Sequence, residues 1–172
     1  MVKYQLKINK KAEEGISDIV SNLSVKVGVR FKKGKVIETA LNMLKNISSK
    51  GSKGYSLHLY NLEKKKVQNE VNYLPETSKL ERGLMKQCIS KIPGMNGIGM
   101  KQYDLILNEK AEEGISDIID DLYVKSGVRL EKGEVIRHAL IMLEYASSMA
   151  NKGYSLVLYD PKTNKVHQEI VF

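Results

Sequence analysis

The chain has 172 residues, of which 42% are hydrophobic and 28% charged, a composition of folded globular proteins rather than disordered ones. Lys and Arg number 28 against 20 Asp and Glu, and the resulting net charge of +8 favours a polyanionic partner. Cys88 is the only cysteine, which excludes an intramolecular disulfide framework and a cysteine-rich zinc site. No apolar run approaches the roughly 18 residues of a bilayer span, and Met1–Lys7 lacks the apolar centre of a secretory signal, so a soluble cytoplasmic protein without membrane contact is expected.

An internal repeat organises everything else. Residues 2–73 align without a gap on residues 101–172, with 38 identities in 72 pairs. The longest shared block, KAEEGISDI, stands at Lys11–Ile19 and again at Lys110–Ile118. The expected division is a first repeat over 1–73, a connector over 74–100 and a second repeat over 101–172. The repeats differ in charge: the first carries 15 basic and 6 acidic residues, the second 9 basic and 12 acidic. A polyanion is therefore expected to be held mainly by the first repeat.

Each repeat opens with alternation. Tyr4, Leu6 and Ile8 fall on one side and Lys3, Gln5 and Lys7 on the other, which predicts a half-buried strand. The second copy has Tyr103, Leu105 and Leu107 opposite Gln102, Asp104 and Ile106. The period then becomes helical. Ala12, Ile16, Ile19, Leu23 and Val27 make one apolar stripe, with Asn9 placed to cap the entry and Gly28 to end the helix. A second helix buries Val36, Ile37, Ala40, Leu41, Leu44 and Ile47. Tyr55–Tyr60 alternates, a polar turn follows at Asn61–Lys65, and Lys66–Tyr73 runs extended, predicting a hairpin. The same signals recur from Asn108 through Gly127, Val135–Leu143 and Gly153 to the second hairpin, whose turn begins Asp160-Pro161. In the connector, Ser78 is placed to cap a short helix over Lys79–Ile89, ended by Pro93 and Gly94.

One strand and two amphipathic helices make too thin a core alone, so the second copy, tethered in the same chain, is the expected partner. The fold class is α+β: two tandem β-α-α-β-β units paired as an intramolecular pseudo-dimer. Exchange between chains, giving a homo-oligomer, is the alternative that the connector's length permits.

The strand YQLKIN, the helix KAEEGISDIVSNLSVKVG and the helix KGKVIETALNMLKN resemble a ribbon-helix-helix protein, as do YDLILN, KAEEGISDIIDDLYVKSG and KGEVIRHALIML in the second copy. The hairpin KGYSLVLYDPKTNKVHQEIVF resembles the extension on many small bacterial proteins of this type. The resemblance covers most of both repeats and not the connector. It implies that two first strands pair into an antiparallel ribbon whose outward side chains enter the major groove of double-stranded DNA. It also implies that the start of each second helix meets a phosphate.

Carried onto this sequence, the reading residues are Lys3, Gln5 and Lys7, with Gln102 and Asp104 as counterparts. Lys donates to guanine edges, Gln pairs with adenine, and Asp104 accepts from cytosine while being repelled by phosphates. The phosphate contacts fall on Arg30, Lys32, Lys33, Gly34 and Lys35 in the first repeat and on Arg129, Lys132 and Gly133 in the second. Lys32 and Glu131 stand where the family commonly carries Ser or Thr as helix cap. Glu131 and Glu134 leave the second site almost neutral, whereas the first is strongly basic.

Other signals fail as motifs. Gly28–Lys35 has five residues between its glycines and no Ser or Thr after the lysine, so it is not a phosphate loop of the Walker type. His58, His138 and His167 lack metal-ligand spacing and read as surface or packing residues. No nucleophile, base and oxyanion arrangement is visible, and neither an enzymatic activity nor a cofactor is expected. The expected function is sequence-specific DNA binding by a transcriptional regulator or a mobile-element accessory protein. The alternative is an interaction or assembly module that keeps the fold and has lost DNA reading, at least in the second repeat.

Overall fold

The computed structural model describes residues 2–9, 17–21, 33–74, 100–107 and 109–170. The chain is α+β. Its elements are β1 (Val2–Asn9), α1 (Lys33–Gly51), β2 (Ser56–Asn61), β3 (Lys66–Glu70), β4 (Met100–Leu107), α2 (Glu109–Ser126), α3 (Lys132–Asn151), β5 (Tyr154–Asp160) and β6 (Lys165–Ile170). Residues 17–21 are also helical. The expected connector helix at 79–89, Cys88 and the glycines at 28 and 94–99 lie outside the described residues.

The strands form two antiparallel sheets. One is a two-stranded ribbon of β1 and β4. The other has the order β3-β2-β5-β6, so the hairpins of the two repeats join edge to edge through β2 and β5. In the ribbon, Gln5 lies opposite Asp104; in the larger sheet, His58 lies opposite Val157. Each of these central pairs is a pair of equivalent positions in the two repeats. The flanking pairs then exchange: Lys3 opposes Ile106 and Lys7 opposes Gln102, while Leu57 opposes Leu158 and Leu59 opposes Leu156. That exchange is what a two-fold relation between repeats requires.

Helical periodicity places the core. Val36, Ile37, Ala40, Leu41, Leu44 and Ile47 of α1 are all buried, as the sequence predicts. Their counterparts Val135, Ile136, Ala139, Leu143 and Ala146 do the same for α3, and Ile115, Ile118 and Leu122 for α2. Leu57, Leu156, Leu158 and Ile170 close the core from the sheet, with Leu57 and Leu158 fully excluded from solvent. Burying each such side chain contributes about 1.5–3 kcal/mol. Helix α1 is central, packing on α2, α3 and β2.

Helix and turn ends follow their local chemistry. Gly127 ends α2 with φ of +70° while its N–H donates to the Tyr123 carbonyl at 2.8 Å. The hairpin turns hold Lys65 at φ 49° and its equivalent Asn164 at φ 55°. Asn tolerates that left-handed conformation, whereas a lysine there costs about 1–2 kcal/mol. The second turn is further pinned by Asp160, whose carboxylate accepts from Lys162 N–H at 2.9 Å and Thr163 Oγ1 at 3.0 Å. These bonds, first that from Lys162, hold the Asp160 carboxyl below its ordinary pKa.

Candidate nucleic-acid interface

The ribbon register gathers the expected reading positions. Residues directly opposite in an antiparallel pair share a face, and alternate residues along each strand share it too. Lys3, Gln5, Lys7, Gln102, Asp104 and Ile106 therefore stand on one face of the ribbon. Val2, Tyr4, Leu6, Ile8, Lys101, Tyr103, Leu105 and Leu107 stand on the other. The first face carries two lysines, both from β1, and a single carboxylate at its centre. Its charge is lopsided although its backbone is symmetric.

The starts of α1 and α3 differ in the same sense. α1 begins Lys33-Gly34-Lys35 and has no acidic residue in its first turn. Gly34 is exposed, and a side chain built there would meet nothing within 4 Å, so the backbone is open to a ligand. Lys35 is exposed and its Nζ lies 3.1 Å from Glu38, a solvent-screened pair that leaves the ammonium accessible. Arg30 and Lys32 lie outside the described residues.

At α3 the same place is closed by the chain itself. Glu131 is the N-cap, as expected, and its N–H donates to the Glu134 carboxylate at 2.9 Å. Glu134 N–H and Val135 N–H both donate to the Glu131 carbonyl, at 2.9 and 3.0 Å. A carboxylate now sits at the positive end of the helix dipole, where a phosphate would otherwise bind. Gly133 is exposed with open space around it, and Arg129 is exposed. The Lys132 Nζ lies 2.7 Å from the Glu112 carboxylate of α2, which compensates its charge. Among the described residues, the first repeat thus offers a cationic helix start without a carboxylate on it, and the second a self-capped one.

The residues binding the repeats together were not singled out by sequence. Lys125, at the end of α2, donates to the Gly51 carbonyl at 3.0 Å and approaches the Tyr55 carbonyl at 3.4 Å. It thereby places a cation at the negative end of α1. The same Nζ stands 5.7 Å from the Tyr73 ring centroid and 3.5 Å from its hydroxyl. Tyr73 is buried, and burial, helped by the charges of Asp121 and Glu70, pushes its hydroxyl up to about 12. His138 of α3 is buried and bonds through Nε2 to the Tyr73 carbonyl. Burial pushes the imidazole below its ordinary pKa, and the bond to the Tyr73 carbonyl only partly opposes it. His138 is therefore neutral, with Nε2–H as donor. Lys45 of α1 reaches Asp117 of α2 at 2.7 Å. Signals for these contacts exist in the sequence only as unexplained polar residues, since each partner lies some 52–74 positions away.

His58 bonds to Ser56 Oγ at 3.0 Å and to the Gln68 carbonyl at 3.2 Å, and His167 stacks on Tyr55 with centroids 4.5 Å apart. Among the described residues no group of three or more potential ligands could hold a metal ion, and no helix is long and apolar enough to cross a membrane. Comparison with protein-family models, with curated proteins and with solved structures finds no match to this chain.

Proposed function

We propose that the chain binds double-stranded DNA in a sequence-selective way, through the two-stranded ribbon of β1 and β4, in the manner of a tandem ribbon-helix-helix protein. The observation that carries this reading is the register, which gathers Lys3, Gln5, Lys7, Gln102 and Asp104 on one ribbon face about the Gln5–Asp104 pair. A ribbon of this kind fits the major groove, where Lys, Gln and Asp each discriminate bases by their donor and acceptor pattern. The cationic start of α1 supplies a phosphate contact through its backbone amides and Lys35. The start of α3, occupied by Glu134, does not. Binding is thus asymmetric: the first repeat supplies most of the affinity, and the second supplies the partner strand and part of the readout.

The test is binding to mixed duplex DNA across a salt series, with the native chain and with Lys3→Ala/Lys7→Ala. Log affinity should fall linearly with log salt at about −0.9 per neutralised phosphate, and the double substitution should lower affinity and change the preferred sequence. Absence of binding at low salt would overturn the proposal.

A further inference from the structure

Four large hydrophobic side chains are exposed among the described residues, and three of them mark two surfaces that the DNA reading does not use. Leu62 is 50% exposed in the β2–β3 turn and is followed by exposed Glu63 and then the exposed lysines Lys64, Lys65 and Lys66. Tyr123 and Val124 are 50% and 75% exposed at the end of α2. They continue the stripe that carries Glu113, Asp117 and Asp120 along the solvent face of that helix. Asp117 is engaged by Lys45, whereas Glu113 and Asp120 have no ion pair among the described residues. One surface is apolar and cationic, the other apolar and anionic.

Each surface has residues found in one repeat only, although Glu113, Asp117 and Val124 have identical counterparts in Glu14, Asp18 and Val25. Where the first turn has Leu62, Glu63, Lys64 and Lys65, the second has Pro161, Lys162, Thr163 and Asn164. Where α2 has Asp120 and Tyr123, the first repeat has Ser21 and Ser24. Over their whole length the repeats hold 38 of 72 positions in common; the two turns have the same net charge, and the patches diverge by an apolar side chain each, Leu62 in the first and Tyr123 in the second, with Asp120 added beside Tyr123. Holding Lys65 at φ 49° is also costlier than holding the Asn at its equivalent.

We infer that copies of this chain associate head to tail, the Leu62–Lys65 turn of one docking on the Asp120–Tyr123–Val124 face of the next. Leu62 covers Tyr123 and Val124 while the lysines face Asp120 and Glu113. The two surfaces are different patches of the same chain, so the contact is heterologous and does not close with two copies. It propagates into a row or a ring. A turn against a helix face is a small contact, with an affinity on the order of tens to hundreds of micromolar, weakened by salt.

Sedimentation velocity of the full chain, taken up to roughly millimolar concentration at low salt, tests this. The native chain should grow past a dimer, and high salt should reverse it. Asp120→Ser/Tyr123→Ser and Lys64→Thr/Lys65→Asn carry the sister repeat's residues at exposed positions, so both should fold and stay monomeric. Mixed in equal amounts they should form a heterodimer and stop there, since one keeps the turn and the other keeps the helix face. A native chain that stays monomeric, assembly that survives both variants, or variants that fail to combine would each overturn the inference. Lys3→Ala/Lys7→Ala should leave assembly unchanged, so this inference and the DNA reading stand or fall separately.

Discussion

Among the described glycines Gly51 leaves the least room for a side chain, and its substitution has a predictable sign. A methyl group added there would lie 1.5 Å from the Tyr73 hydroxyl oxygen and 2.8 Å from the ring carbon bearing it. Gly51 is helical, so alanine would by itself gain up to about 1 kcal/mol of helix propensity. Against that, Tyr73 is only 4% exposed, and displacing its ring into a packed interior costs about 1–3 kcal/mol or more. The clash wins, and Gly51→Ala should destabilise the fold by about 1–2 kcal/mol. The chain holds its own control: the equivalent positions in the second repeat are Ala150 and Phe172, a methyl group where the hydroxyl is missing. Gly51→Ala/Tyr73→Phe should therefore recover most of the loss, with a coupling of about 1–3 kcal/mol in a double-mutant cycle. Urea unfolding of the four proteins, followed by far-ultraviolet circular dichroism, measures it. Additive effects, or a Gly51→Ala chain as stable as the native one, would show that the hydroxyl does not fill the missing methyl's place.

Three further outcomes are expected. His138 has a folded-state pKa below its ordinary 6.5, so protonation favours the unfolded chain; stability is complete above about that pH and falls below it. The loss should be no steeper than about 1.4 kcal/mol per pH unit, the limit for one proton, and His138→Thr, the residue of the first repeat, should flatten that slope in urea titrations at stepped pH. Glu131→Lys/Glu134→Lys, which restores the first repeat's residues, removes the carboxylate at the start of α3. It should cost about 0.5–2 kcal/mol of stability while tightening DNA binding and steepening the salt slope by about one unit or more in a fluorescence titration. Leu44→Ala empties a fully buried position on the central helix and should cost about 2–5 kcal/mol of urea stability.

What sequence could tell follows from the range over which each force acts. The strand at Tyr4–Ile8, the stripe from Val36 to Ile47 and the Gly127 helix end all rest on neighbours close in sequence, and each is found where expected. The first-helix stripe is buried in the second repeat at Ile115, Ile118 and Leu122, with Ala111 partly buried and Ser126 in place of Val27; in the first, only Ile19 lies among residues whose side chains are described. The register of β1 on β4 was foreshadowed by alternation, which fixes faces without fixing the opposite partner. Joining the two hairpins into one sheet depends on β2 meeting β5, a pairing of positions such as His58 and Val157 that lie 99 apart, for which no local signal exists. Likewise Lys125, Tyr73 and His138 look like ordinary surface or packing residues until the repeats are set together. Among the candidate phosphate contacts, the sequence shows Glu131 as cap and Glu134 as a neutralising charge beside it, whereas Glu112, 20 positions before Lys132, is not marked as its partner.

Methylation interference on a selected binding site tests the central claim most directly, because guanine N7 is exposed only in the major groove. If the β1–β4 ribbon reads that groove, N7 methylation within the site should block binding, and Lys3→Ala should abolish the interference at one position while leaving the others. Interference confined to the minor groove, or a pattern untouched by Lys3→Ala and Lys7→Ala, would contradict it.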